Sequence, residues 1–175
     1  METKAHLTNK TIYYKEQEYT SSGTYTYNIE GGTYRINLVG GGGGSAQTDG
    51  GTDSYTDTAY ANHYGNDGAN GGIFEGIASL PKGTLKITVG AVGTNQAGKG
   101  VASGNGGDSY AVFTPDGGTA VEIARARGGK SGYPTGDNYK VNVAGGTVTY
   151  NSSYFTKVNY AIKGIDGTLI WSVKI

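Results

Sequence analysis

Apolar and polar positions alternate along most of this chain. Tyr25, Tyr27 and Ile29 stand between polar neighbours, and Tyr34, Ile36 and Leu38 repeat the pattern a few residues later. Comparable short runs occupy residues 73–78, 85–89, 110–113, 120–124, 141–143, 147–150, 158–162 and 169–173. A period of two places alternate side chains on opposite faces of an extended backbone. Runs of this kind, separated by Gly, Asn and Asp, predict an antiparallel all-β domain. Helical periodicity is almost missing: the best stretch, residues 55–64, has no apolar face. The expected architecture is an antiparallel β-sandwich, jelly-roll-like, with glycine-rich and partly polyglycine II loops.

Several connections read as turns. They are Glu30-Gly31-Gly32-Thr33, Pro81-Lys82-Gly83-Thr84, Pro115-Asp116-Gly117-Gly118, Ala144-Gly145-Gly146 and Asp166-Gly167. Glycine in such places is expected to supply a positive φ.

Composition changes the picture at one point. Glycine accounts for 33 of 175 residues, against a usual share of about 7%. Gly40, Gly41, Gly42, Gly43 and Gly44 follow a strand directly, and further glycines recur every third residue: Gly65, Gly68 and Gly71; Gly104 and Gly107; Gly90 and Gly93; Gly41 and Gly44. Gly128 and Gly129 follow another strand. Three residues per turn is the period of the extended left-handed polyproline II helix. Glycine along one edge of such a helix lets a neighbour come close enough to pair backbone groups that are otherwise orphaned. The glycines are therefore expected to be part of a folded unit rather than a linker.

Charge and cysteine remove function classes. There are 14 basic and 14 acidic residues, with no block of either sign, so capture of nucleic acid or an anionic membrane is not expected. There is no cysteine, which excludes disulfides, thiol catalysis and thiolate metal sites. No stretch approaches the length of a transmembrane helix, and the first residues lack the apolar core of a signal peptide.

The sequence offers no catalytic constellation. Gly129-Lys130-Ser131 resembles the end of a phosphate loop, but Ala124 stands where the first glycine belongs and no helix pattern follows. The two histidines, His6 and His63, mark no triad. Asp49, Asp53 and Asp57 lack the alternating ligand spacing of a calcium loop. No enzyme activity, cofactor or metal is expected. Two polar, tyrosine-rich stretches read instead as a binding surface. Residues 48–64 carry Tyr55, Tyr60, His63 and Tyr64; residues 130–140 carry Tyr133, Asp137, Asn138 and Tyr139. Tyrosine among Ser, Gly and Asn is the composition of adaptable paratopes, and it suits saccharides, which stack on aromatic rings and hydrogen-bond to amides and carboxylates.

Four stretches together resemble a known family. Tyr19-Thr20-Ser21-Ser22-Gly23-Thr24-Tyr25-Thr26-Tyr27 runs through Gly31-Gly32-Thr33-Tyr34-Arg35-Ile36 into the five glycines. Leu80-Pro81-Lys82-Gly83-Thr84-Leu85-Lys86-Ile87-Thr88-Val89-Gly90-Ala91-Val92-Gly93, Gly104-Asn105-Gly106-Gly107-Asp108-Ser109-Tyr110 and Ile123-Ala124-Arg125-Ala126-Arg127-Gly128-Gly129 follow in the same order. Over residues 19–132 the chain resembles the glycine-rich domains of bacteriophage tail fibre and receptor-binding proteins. The resemblance implies a non-enzymatic virion component at a tail fibre, tail tip or head fibre that takes part in host attachment. It implies other virion proteins and a host surface glycan or receptor as partners. It also implies a homotrimer, or a monomer seated on a trimeric fibre. Residues 1–18 would then be an N-terminal docking segment and residues 19–175 the glycine-rich domain. The alternative is a freestanding carbohydrate-binding module or bacterial surface adhesin.

Overall fold

In this computed structural model, the structure describes residues 17–46, 51–52, 59–60, 64–95, 103–132, 134–135, 143–167 and 169–170. The strands in chain order are β1 (Gly23–Ile29), β2 (Gly32–Val39), β3 (Gly51–Thr52), β4 (Ala59–Tyr60), β5 (Tyr64–Asn66), β6 (Ile73–Leu80) and β7 (Gly83–Val89). They continue with β8 (Ser109–Pro115), β9 (Val121–Ala126), β10 (Pro134–Thr135), β11 (Val148–Tyr150), β12 (Phe155–Ile162) and β13 (Leu169–Ile170). The fold is all-β, and every paired strand is antiparallel.

Two sheets carry the core. One is 5-stranded, in the order β1-β7-β8-β9-β11, and the other is 3-stranded, in the order β12-β6-β2. The period-two pattern turns Ile36 and Leu38 of β2 and Phe74, Ala78 and Leu80 of β6 toward Leu85, Phe113 and Ile123 of the larger sheet. Phe74 and Phe113 are fully buried, and Phe155 meets Phe74 edge-on at 4.9 Å between ring centres. Burying an aromatic of this size contributes about 2–3 kcal/mol. Gly76 lies beneath Phe155: an added Cβ would come within 2.6 Å of that ring, so β6 has no room for a side chain there. One end of the sandwich is closed by the links β1–β2, β6–β7 and β8–β9 and by a short 3-10 turn, Ser152–Tyr154, between β11 and β12.

The opposite end continues into glycine-rich chain. β2 runs into residues 40–46, β7 into 90–95, β9 into 127–132 and β12 into 163–167. Residues 67–72 lead into β6, 103–108 into β8 and 143–147 into β11. These segments bond to one another with a period of three. Gly40 and Gly43 donate to Gly72 and Ala69, whereas Gly41 and Gly44 donate to Gly107 and Gly104. Gly129 and Gly132 donate back to Gly41 and Gly44, while Arg127 and Lys130 donate to Thr147 and Ala144. Each third residue thus meets the same neighbouring segment, in keeping with the polyproline II period. The backbone groups that glycine chain would leave orphaned are satisfied by the adjacent chains.

Close approach is what requires glycine here. A Cβ on Gly41 or Gly44 would strike the carbonyl of Ala91 or Thr94, and one on Gly68 or Gly71 that of Gly43 or Gly40. The positive-φ role expected of the turns is found at Gly117 (φ 70°) alone among those turn glycines. Two of the expected turns are not turns at all. Ala144-Gly145-Gly146 is a lattice segment, bonded to residues 130, 70 and 164, and Gly167 donates to Val143. Short glycine stretches after a strand look like hairpin turns locally; the partners that hold them extended are far away in sequence.

Candidate binding tip

In chain order, β3, β4 and β5 fall between the glycine segments 40–46 and 67–72, β10 follows 127–132 and β13 follows 163–167. β5 is the middle strand of a 3-stranded sheet, in the order β10-β5-β13, and β3 pairs with β4. Tyr64 lies opposite Thr135 and Gly65 opposite Pro134. The two tyrosine-rich stretches, separate in sequence, are therefore joined by their backbones. Leu169 opposite Asn66 and Ile170 opposite Gly65 add the C-terminal stretch to the same small sheet.

Of the candidate contact residues, Tyr60 lies in β4 opposite Gly51 and Tyr64 lies in β5. Tyr55, His63, Tyr133, Asp137 and Tyr139 are outside the described residues. Gly65 belongs to β5 and not to the lattice, so the every-third pattern of Gly65, Gly68 and Gly71 holds only for its last two members. Gly40, Gly43, Gly104, Gly107, Gly128 and Gly129 all lie in the lattice. Gly42 lies there too, but nothing crowds its Cβ position, whose nearest neighbour is 3.9 Å away.

Side chains finish the lattice where a neighbouring backbone is missing. Asn105 accepts from Ser131 N–H (2.8 Å) and Asp108 from Gly128 N–H (2.9 Å), again three residues apart on both chains. Asn95 accepts from Ser45 N–H at 3.0 Å and Asp166 from Gly145 N–H at 2.7 Å. Ser109, 3% exposed, donates to Val39 carbonyl and accepts from Gly90 N–H. Asp108 also ties the lattice to the sheet through Arg125 (2.7 Å), which grips Glu122 and lies 4.3 Å over the Tyr110 ring. Partial burial pushes the Asp108 carboxyl up, but the Gly128 amide and the Arg125 guanidinium outweigh it, and the net shift is downward.

One polar cluster was not signalled by the sequence. Glu75 is 3% exposed although it points to the solvent side of β6. Arg35 (2.8 Å) and the Tyr160 hydroxyl (2.8 Å) donate to one carboxylate oxygen, and Asn159 (2.6 Å) donates to the other. These side chains cover Glu75 laterally at the sheet surface. Their hydrogen bonds, Arg35 foremost, lower its pKa to about 2 against the opposing effect of desolvation. The signal available in sequence was a lone Glu in an apolar run, and its donors lie 40 residues before it and 84 and 85 residues after it.

Among the described residues no group of His, Cys, Asp and Glu is placed to hold a metal ion, and no helix is long and apolar enough to cross a membrane. Comparison of the chain with known protein families, with curated proteins and with solved structures found no match.

Proposed function

We propose that this chain is a non-enzymatic bacteriophage virion module, at a tail fibre, tail tip or head fibre, that helps attach the particle to its host. The observation that supports the reading most is the pairing of β5 with β10. It joins Tyr64, at the end of one tyrosine-rich stretch, to Thr135 of the other, beyond a glycine lattice rooted in the sandwich. The stalk of backbone hydrogen bonds ends at this pairing, to which both tyrosine-rich stretches contribute a strand, and tyrosine among Ser, Gly and Asn suits a binding surface. Those residue types suit a host surface saccharide: tyrosine rings stack on sugar faces, while Asp137 and Asn138 offer hydrogen-bond partners. The resemblance of residues 19–132 to phage glycine-rich domains supplies the virion setting.

Mass spectrometry and cryo-electron microscopy of intact particles test the setting, and absence of the chain from the particle overturns it. Tyr60→Ala and Tyr133→Ala test the tip. The expected result is loss of adsorption by tenfold or more at unchanged melting temperature, as for an aromatic anchor worth about 1.4 kcal/mol or more. Saccharide binding by the isolated protein, with no chain in the particle, would favour the freestanding carbohydrate-binding module instead.

A further inference from the structure

The chain contains two Asn-Gly pairs, Asn70-Gly71 and Asn105-Gly106, and both fall inside lattice segments. Asparagine before glycine is prone to modify itself, because glycine puts no side chain in the way of its own amide nitrogen. That nitrogen attacks the asparagine Cγ and a five-membered succinimide closes. The side-chain nitrogen leaves as ammonia, carrying the proton that the backbone amide gives up. Water then opens either ring carbonyl. The larger share of the product is isoaspartate, whose main chain runs through Cβ and Cγ; the rest is ordinary aspartate. No oxidant, metal or partner is consumed.

The lattice holds this reaction off at Asn105. The residue is exposed, but its Oδ1 accepts from Ser131 N–H at 2.8 Å, which turns the amide group toward the neighbouring segment. Gly106 N–H donates to the Gly129 carbonyl at 2.9 Å, and on its far side Gly106 lies too close to the Gly41 carbonyl to carry a Cβ. To reach Cγ, the Gly106 nitrogen must swing out of the extended conformation, which breaks both hydrogen bonds. The backbone of Asn70 is pinned in the same manner. Its N–H donates to Ile165 and its carbonyl accepts from Gly146, each at 2.9 Å, and Gly71 lies against the Gly40 carbonyl.

We propose that Asn105-Gly106, and with it Asn70-Gly71, is a deamidation site gated by the lattice, and that isoaspartate at residue 105 keeps the lattice from closing again. Gly104 donates to Thr94 (2.8 Å) and Gly107 to Ala91 (2.7 Å), three residues apart on both segments, with Asn105 between the two donors. Isoaspartate adds one main-chain atom between those donors, so the two bonds no longer fall in step. Ordinary aspartate keeps both the chain length and the acceptor for Ser131, and the lattice accepts it. A brief opening is reversible, whereas an opening long enough for the succinimide to form is not. This chemistry does not depend on what the tip binds.

Ageing the full chain at mildly alkaline pH, with and without urea, tests the proposal. Peptide mapping by mass spectrometry, with enzymatic methylation of isoaspartate, reads the product at each site. Two hydrogen bonds hold the Asn105 pair, each slowing the reaction about tenfold, so modification there should be about a hundredfold slower in the fold than in urea. Once urea is removed, unaged chains should regain hydrogen-exchange protection at Gly104 and Gly107, and chains with isoaspartate at residue 105 should not. The double variant Asn70→Asp, Asn105→Asp, held in urea for the same time, should refold fully. If that variant does not fold, modified and unmodified parent chains separated by ion exchange after the same urea exposure supply the comparison. Equal rates at Asn105 in the fold and in urea overturn the gating. Full protection at Gly104 and Gly107 in chains that carry isoaspartate at residue 105 overturns the block on closure.

Discussion

Alanine placed singly through Gly40–Gly44 gives sharply unequal results if the glycines form a close-packed lattice. At Gly44 an added Cβ would sit 1.9 Å from the Thr94 carbonyl oxygen, and at Gly42 the nearest atom is 3.9 Å away. Real Cβ atoms essentially never come under 3.0 Å, so Gly44→Ala must push the two chains apart by about 1 Å, enough to take 2.9 Å hydrogen bonds past their useful range. The bonds at stake are Gly44 to Gly104 (2.9 Å), Gly104 to Thr94 (2.8 Å) and Gly93 to Gly42 (2.7 Å). Each contributes about 1 kcal/mol net, and each buried group left unpaired costs about 1–3 kcal/mol. The expected loss is about 3–6 kcal/mol, a large part of the stability of a domain this size, which lowers the melting temperature by about 6–24 °C. Gly42→Ala meets no obstacle and its φ is not positive, so restricting the unfolded chain stabilises it by about 0.4–1 kcal/mol. Thermal and urea unfolding of the series measures both. Equal, small effects at all positions, as in a flexible linker, would refute the lattice; so would a Gly42→Ala variant as unstable as Gly44→Ala.

Three further outcomes follow from particular residues. The Glu75 carboxyl is lowered from 4.5 to about 2 in the fold, so its stabilising contribution is full above pH 4.5 and fades as pH falls toward 2; the shift bounds it at about 3 kcal/mol. Melting temperature against pH should drop through that window in the parent and run flatter in Glu75→Gln, and identical acid limbs would count against the cluster. Gly117 has φ 70° with nothing within 4 Å of a Cβ, so Gly117→Ala should cost only its backbone strain, about 1–2 kcal/mol, read by urea denaturation. Asn105→Ala removes the acceptor of the Ser131 amide and should cost about 1–3 kcal/mol. It should also lose hydrogen-exchange protection at Ser131, whereas Asn105→Asp, which keeps the acceptor, should retain it.

The strands were legible because their apolar positions alternate locally. The runs at 73–78, 85–89, 110–113 and 120–124 correspond to β6, β7, β8 and β9, with ends displaced by one or two residues. The start of β12 was harder to read. It begins at Phe155, three residues earlier than its pattern suggests, and it carries two register shifts that break strict alternation. The run at 141–143 gives only an isolated bridge from Val143 to Gly167 among the described residues. The glycine period pointed to close packing, and it also named the right pairs: Gly41 with Gly44, Gly90 with Gly93, Gly104 with Gly107. It could not show which segments meet, because glycine has no side chain whose character would identify a partner. Ala144-Gly145-Gly146 was misread for the same reason. Of the tip, composition marked the two tyrosine-rich stretches but not the β5–β10 pairing that joins them, since strands of two and three residues carry no periodic signal.

The three-residue repeat of the lattice sets a rule for how such a molecule can change length. Each segment presents the same pattern of donors and acceptors after every triplet, so inserting one residue rotates all later groups away from their partners, and inserting two does the same. Inserting three restores the match. A triplet of glycines added to every segment would regenerate the hydrogen-bond pattern and lift the tip by about 9 Å, at about 3.1 Å per residue. Stalk height in a lattice of this kind is therefore quantised, and it can grow only if ascending and descending chains lengthen in step.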